Sequence, residues 1–195
     1  MLVAALGDSI TAGSPGWDPD PRVRAAIHEP NAESQYEHWA SRRDPGLEFR
    51  NCGIYGQRTD EIALRLEACA EGAEILIVQG GINDIAQRRQ VESAAENLRA
   101  MVVRGRLLGR VVFLADVLPW NNGHPEAEGP IRRLNELIAD IGVQVLPFHQ
   151  TLEDSERPGR MREEWTSDGD HPSVEGYRLL GEVVAASIAA RRDAT

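Results

Sequence analysis

Two short stretches at opposite ends of the chain carry side chains that could do chemistry together. Near the start, Gly7-Asp8-Ser9-Ile10-Thr11 follows directly on an apolar run. Near the end comes Ser167-Asp168-Gly169-Asp170-His171-Pro172. A serine hydroxyl is a weak nucleophile until a neighbouring base takes its proton. Histidine is the usual base near neutral pH, and a carboxylate orients it. Negative charge that builds on a carbonyl oxygen needs fixed donors, such as backbone N–H groups and a side-chain amide. Gly53 and Gly56 in "NCGIYGQRT" and Asn83 in "GGIND" could supply them. Glycine lets the backbone approach closely, and an asparagine amide donates.

Each of these residues also has a bland reading. A lone serine at a strand end is most often a helix cap or turn former. Asp8 points away from its neighbour Ser9 and is expected to fix the turn through backbone N–H groups. Asp84 is read as structural. Among the five histidines, His28, His38, His124 and His149 lack a carboxylate at a matching spacing in a strand-end loop and read as surface or packing residues. Asp168 and Asp170 compete to orient His171. A residue three positions back folds over the same turn, whereas an immediate neighbour faces the other way. Asp168 is therefore favoured, and Asp170 is read as a solvated carboxylate.

These residues must be positioned by regular elements, and the pattern shows which. "LVAAL" at 2–6, "LEFRNC" at 47–52, "AEILIVQGG" at 73–81, "RVVFLADV" at 110–117 and "VQVLPF" at 143–148 read as five strands. Helices are expected over 34–43, 59–72, about 91–108, 130–142 and about 173–192. In the second of these, Ile62, Leu64, Leu66 and Cys69 are placed on one face. Near-continuous apolar strands alternating with helices indicate a parallel sheet covered on both faces. Long loops at 13–33, 118–129 and 149–172 all leave the carboxyl ends of strands, where such sheets bind ligands. No linker or repeat divides the chain, so 1–195 reads as a single domain.

"GDSITAG", "NCGIYGQRT", "GGIND" and "DGDHP" resemble the four blocks of the SGNH, or GDSL-type, hydrolases, in the family's order and over essentially the whole chain. The resemblance implies a flavodoxin-like α/β/α sandwich around the five-stranded parallel sheet, and an esterase, lipase or thioesterase activity. It implies Ser9 as nucleophile, His171 as base and Asp168 as its orienting carboxylate. Ser9 N–H, Gly56 N–H and the Asn83 amide become the oxyanion donors. Gly56 is preferred to Gly53 because "YGQRT" fits the family block, with one extra residue before Thr59. The Gly-x-Ser-x-Gly elbow of the α/β-hydrolases is absent. The expected reaction is hydrolysis of short-chain carboxylic esters through an acyl-enzyme. Acyl transfer to an alcohol, thioesterase or lysophospholipase chemistry, and an inactive ligand-binding domain are the alternatives. Trp17, Trp120 and Trp165 lie on loops near the site and could line a substrate pocket or pack locally.

Composition narrows the field further. The chain has 195 residues, 42% hydrophobic and 27% charged, enough for a full core. A formal charge of −10 makes nucleic acid a poor partner. Every basic residue except histidine is arginine, so a Schiff-base lysine, a Ser-Lys dyad and a P-loop lysine are excluded. No cofactor and no metal is expected. The "DGD" run fails as a calcium loop, since Ser173 and Leu179 stand where glycine and glutamate belong. Cys52 and Cys69 form neither a CxxC nor a zinc pattern and read as buried thiols in a reducing compartment. No apolar run reaches the roughly 18 residues of a membrane span. The expected partner is a small-molecule ester, with no membrane association, in the cytoplasm.

Overall fold

The computed structural model describes residues 1–13 and 31–194. Trp17 and His28 lie outside the described residues. Five parallel strands form one sheet: β1 (Leu2–Gly7), β2 (Glu48–Gly53), β3 (Ile75–Val78), β4 (Val111–Ala115) and β5 (Gln144–Leu146), in the order β2-β1-β3-β4-β5. This is the flavodoxin-like strand order. The chain winds from β1 outward to β2, then crosses back to β3 on the other side of β1. That reversal opens a crevice beyond the carboxyl ends of β1 and β3, where ligands bind in such sheets.

Side-chain alternation along the strands builds two cores. Ala4, Leu6, Leu76, Val78, Val112 and Leu114 face one layer. Against them pack Leu98 and Met101 of α6 (Val91–Leu107) and Leu134 and Ile138 of α7 (Glu128–Ala139). Val3, Ala5, Ile75, Ile77 and Phe113 face the other layer. There they meet Tyr36 and Ala40 of α2 (Tyr36–Arg43) and Leu180, Val184 and Ile188 of α9 (Val174–Asp193). The central strands are apolar throughout because both faces are covered.

The expected helix over 59–72 is two helices, α3 (Thr59–Ala63) and α4 (Leu66–Ala70). Leu64, placed on the buried face by its sequence pattern, is 87% exposed. Only Ile62, Leu66 and Cys69 keep the i, i+4, i+7 spacing of one face, and all three are buried. The chain turns at Leu64 and Arg65, and the Arg65 guanidinium donates to Gly7 O at 3.0 Å and to Cys52 O. β5 stops at Leu146 because Pro147 has no N–H for the ladder. The stretch 149–172, expected as a loop, carries the end of α8 (Phe148–Leu152) and a hairpin, β6 (Glu153–Asp154) and β7 (Arg157–Met161).

The reading of the cysteines is corrected. Cys52 and Cys69 form a disulfide, with Cα atoms 6.1 Å apart. It ties the end of β2 to α4. No spacing motif announces it, because the two residues meet only after β2 and α4 pack side by side. Among the described residues no helix is long and apolar enough to cross a membrane.

Candidate active site

Ser9 opens a single-turn helix, α1 (Ser9–Ala12), directly after β1. Asp8 caps that turn, and its Oδ1 accepts the Ile10 N–H at 3.0 Å. Asp8 is therefore the turn former expected from the sequence, not a partner of Ser9. Gln79, at the end of β3, holds the same turn from the neighbouring strand. Its Oε1 accepts the Asp8 N–H at 3.2 Å and the Thr11 hydroxyl at 3.0 Å. Thr11 Oγ1 lies in turn 3.1 Å from the Tyr36 hydroxyl. The turn that carries Ser9 is thus clamped to β3 and α2 by buried polar contacts.

His171 reaches the turn from the other end of the chain. Its Nε2 lies 3.0 Å from Ser9 Oγ, and its Nδ1 lies 2.8 Å from Asp168 Oδ2. A carboxylate only accepts, so Nδ1 carries the proton and Nε2 offers its lone pair to the Ser9 hydroxyl. Asp168 Oδ1 also accepts the backbone N–H groups of Asp170 and His171, at 2.9 and 2.7 Å. Burial pushes the Asp168 carboxyl up, but its hydrogen bond with His171 and these backbone N–H groups outweigh that and hold it below the usual range. Ser9 and His171 are both buried.

Asp170 is not the solvated carboxylate expected from its position. Its Oδ1 accepts the Trp120 indole N–H at 2.7 Å. Trp120 also meets the His124 ring edge-on, with centroids 5.9 Å apart. The Trp165 ring lies 5.0 Å below the Arg162 guanidinium, and its carbonyl accepts the Ser173 N–H at 2.8 Å. Both tryptophans therefore brace the segment that carries His171. The other two described histidines do not join the site. His38 neighbours Trp39 edge-on, and His149 bonds near the ends of β4 and α8.

The proposed oxyanion donors converge on the crevice from β2 and β3. Asn83 Nδ2 donates to Gln57 O at 3.0 Å and lies 3.4 Å from Asp8 Oδ2. It thus touches both the residue before Ser9 and the residue after Gly56. Gly53 and Gly56 have different tasks. A Cβ on Gly53 would lie 2.1 Å from Ala12 N, so Gly53 lets β2 approach α1, and its N–H already donates to Asn51 Oδ1 at 2.8 Å. Gly56 has φ of 73°, a left-handed turn that glycine adopts without strain, and lies beyond the end of β2. Asp84, beside Asn83, accepts the Thr59 N–H and hydroxyl at 3.0 and 2.9 Å and is structural.

Gln79 and Arg65 were missed by sequence reasoning. Their signal is weak, a lone polar residue at the end of an apolar strand and an arginine between the buried Ile62 and Leu66. The arrangement as a whole can deprotonate a hydroxyl beside a set of N–H donors.

Residues 5–179 match the model of the GDSL-like lipase/acylhydrolase family. The chain belongs to this family. Solved structures agree in fold. A G-D-S-L family protein from Desulfitobacterium hafniense DCB-2 superposes with a TM-score of 0.78 at 24% identity, covering 95% of this chain and 98% of its own. The lipase/acylhydrolase from Enterococcus faecalis gives 0.74 at 23% identity, covering 97% and 96%. A member of the lipolytic protein G-D-S-L family from Veillonella parvula DSM 2008 gives 0.74 at 19% identity, covering 95% and 96%. No curated protein matches the chain. Family membership makes the chain a GDSL-type hydrolase.

Proposed function

We propose that the chain is a serine esterase that hydrolyses short-chain carboxylic esters, carrying acetyl or similar acyl groups, through an acyl-enzyme. The observation that carries this reading is the unbroken line from Asp168 Oδ2 through the His171 ring to Ser9 Oγ, at 2.8 and 3.0 Å. His171 Nε2 takes the Ser9 proton as Oγ attacks the ester carbonyl. The resulting oxyanion is held by the N–H groups of Ser9 and Gly56 and by the Asn83 amide. One Asn83 hydrogen stays on Gln57 O. The other meets Asp8 at 3.4 Å, a contact long enough to yield to an oxyanion. Collapse breaks the ester C–O bond, and His171 gives its proton to the leaving alcohol. Water then attacks the acyl-enzyme, His171 takes its proton, and Ser9 is regenerated with release of the acid.

Short segments join β2 to α3 and β3 to α5 (Ile82–Ala86). They leave little material for a lid there, which favours short acyl chains. The Cys52–Cys69 disulfide favours an oxidising compartment over the cytoplasm expected from the sequence.

Hydrolysis of p-nitrophenyl esters from acetate to decanoate tests this function. The reading expects kcat/KM to be highest for the shortest acyl groups. A rate that climbs with chain length overturns the short-chain assignment, and no hydrolysis of any ester overturns the esterase. Repeating the assay with an added alcohol separates hydrolysis from acyl transfer, because a transferase yields a new ester instead of free acid.

A further inference from the structure

A second cavity, of about 510 Å³, opens between α7, α8 and the β6–β7 hairpin. None of Ser9, Asp168, His171, Gly56 or Asn83 lines it. His149 does, and its environment fixes its hydrogen-bonding state. Nδ1 lies 2.8 Å from Val117 O, and a carbonyl only accepts, so Nδ1 carries the hydrogen. The Val117 peptide is held at both ends by the Asn135 amide, at 2.8 and 2.9 Å. The His149 backbone N–H is held by Asp116 Oδ1 at 2.6 Å. The bond to Val117 O thus points Nε2 toward the cavity.

In the neutral ring, Nε2 then presents a lone pair. Glu153 Oε1 lies 3.5 Å from it, and that oxygen is itself fixed by the Gly159 N–H at 2.7 Å. In that state two acceptors face each other at the cavity wall. Glu128 and Glu136 add negative charge to the lining, opposed by Arg132 at 3.8 Å from Glu128 and by Arg133 at 3.5 Å from Glu136. Ile131 and Pro158 supply apolar surface. A few fixed polar groups converging in a partly apolar cavity are the general form of a small-molecule site. Among the described residues no three histidine, cysteine or acidic side chains are grouped to hold a metal ion.

We propose that this cavity is a second binding site, for a small organic cation. Its ammonium or guanidinium group donates to His149 Nε2 and Glu153 Oε1, and its apolar body lies against Ile131 and Pro158. The site stands apart from Ser9 and does not depend on the esterase reading. Its outer wall, the hairpin, is tied to the His171 segment by Asn121, which bonds Met161 and Gly169, and by Arg157, which bonds Glu163 at 3.0 Å.

Benzylammonium is the probe, with benzyl alcohol and benzoate as its neutral and anionic counterparts. Binding is followed in the full chain by NMR of the labelled His149 ring, assigned from a His149→Gln variant. The proposal expects saturable shifts of the His149 ring with benzylammonium, and affinity at least roughly tenfold weaker for benzyl alcohol and benzoate. Glu153→Gln keeps an oxygen to accept the Gly159 N–H but removes the charge. It is expected to weaken benzylammonium by roughly tenfold while leaving the spectrum of the fold unchanged. Equal affinity for benzyl alcohol and benzylammonium, unchanged affinity in Glu153→Gln, or no shift of the His149 ring overturns it.

Discussion

Asp168 holds His171 twice. One carboxylate oxygen takes the His171 backbone N–H at 2.7 Å, and the other takes the ring Nδ1–H at 2.8 Å. The three-residue separation makes this grip available, because the chain folds back over the carboxylate within one turn. Asp170, one residue away, faces Trp120 instead.

This geometry separates the two carboxylates by experiment. Asp168→Asn is expected to lower kcat on p-nitrophenyl acetate by about 10³–10⁴-fold, since an amide cannot hold the productive tautomer. Asp170→Asn keeps an oxygen for the Trp120 N–H and is expected to stay within a few-fold of wild type. Reversed effects in steady-state kinetics would assign the orienting role to Asp170.

Asn83 is expected to act on the transition state more than on the bound ester. Asn83→Ala should lower kcat by about 10²–10³-fold with little change in KM. An unchanged kcat with a raised KM would make Asn83 a binding residue.

Asp8 ties the site to stability. Burial pushes its carboxyl up from 3.8 to about 6, against the opposing hydrogen bonds of Ile10 and Gln79. The folded chain therefore holds this proton more tightly than the unfolded chain does. Stability from this group is lost as pH rises from about 4 to about 6, a change of about 3 kcal/mol. Asp8→Asn removes the titration and keeps an oxygen to cap Ile10. Urea unfolding should find the variant close to wild type at pH 4 and more stable than wild type at pH 7. A difference that does not change with pH would contradict the assignment. Asp116, also pushed to about 6 by burial, is present in both proteins and cancels.

Ser9 and Asn83 were legible as candidates because each lies just beyond an apolar run, and Asp168 and His171 because of their three-residue spacing. Gly7-Asp8-Ser9 follows β1, Gly80-Gly81 follows β3, and strand adjacency then brings their loops into one crevice. The supports were not legible. Gln79 binds Asp8 and Thr11 across a sequence gap of about 70 residues, and Arg65 binds Gly7 O across 58. Such contacts leave no local pattern, since their partners are backbone groups or single hydroxyls fixed only by the packed sheet. The break at Leu64 escaped for a related reason. The pull of Arg65 on two strand-end carbonyls outweighs the helical preference of the leucines around it. The hairpin after α8 was hidden in a polar stretch without strand alternation.

The Cys52–Cys69 disulfide closes a segment with a sequence separation of 17. A loop of that size is worth about 3 kcal/mol in the chain-entropy account. Reduction, or replacement of both cysteines by serine, should therefore lower Tm by about 6–12 °C. Thiol titration of the unreduced native protein should find none. Two titratable thiols together with an unchanged Tm on reduction would contradict the bond.

The most direct test of the account is the hydrolysis rate of p-nitrophenyl acetate by wild type and Ser9→Ala, with both folds verified by circular dichroism. If Ser9 is the nucleophile, removing its hydroxyl lowers kcat by about 10⁵–10⁶-fold and leaves only the residual catalysis of the donors around it. Equal rates in the two proteins would place the nucleophile elsewhere and leave the contact between Ser9 and His171 without a catalytic role.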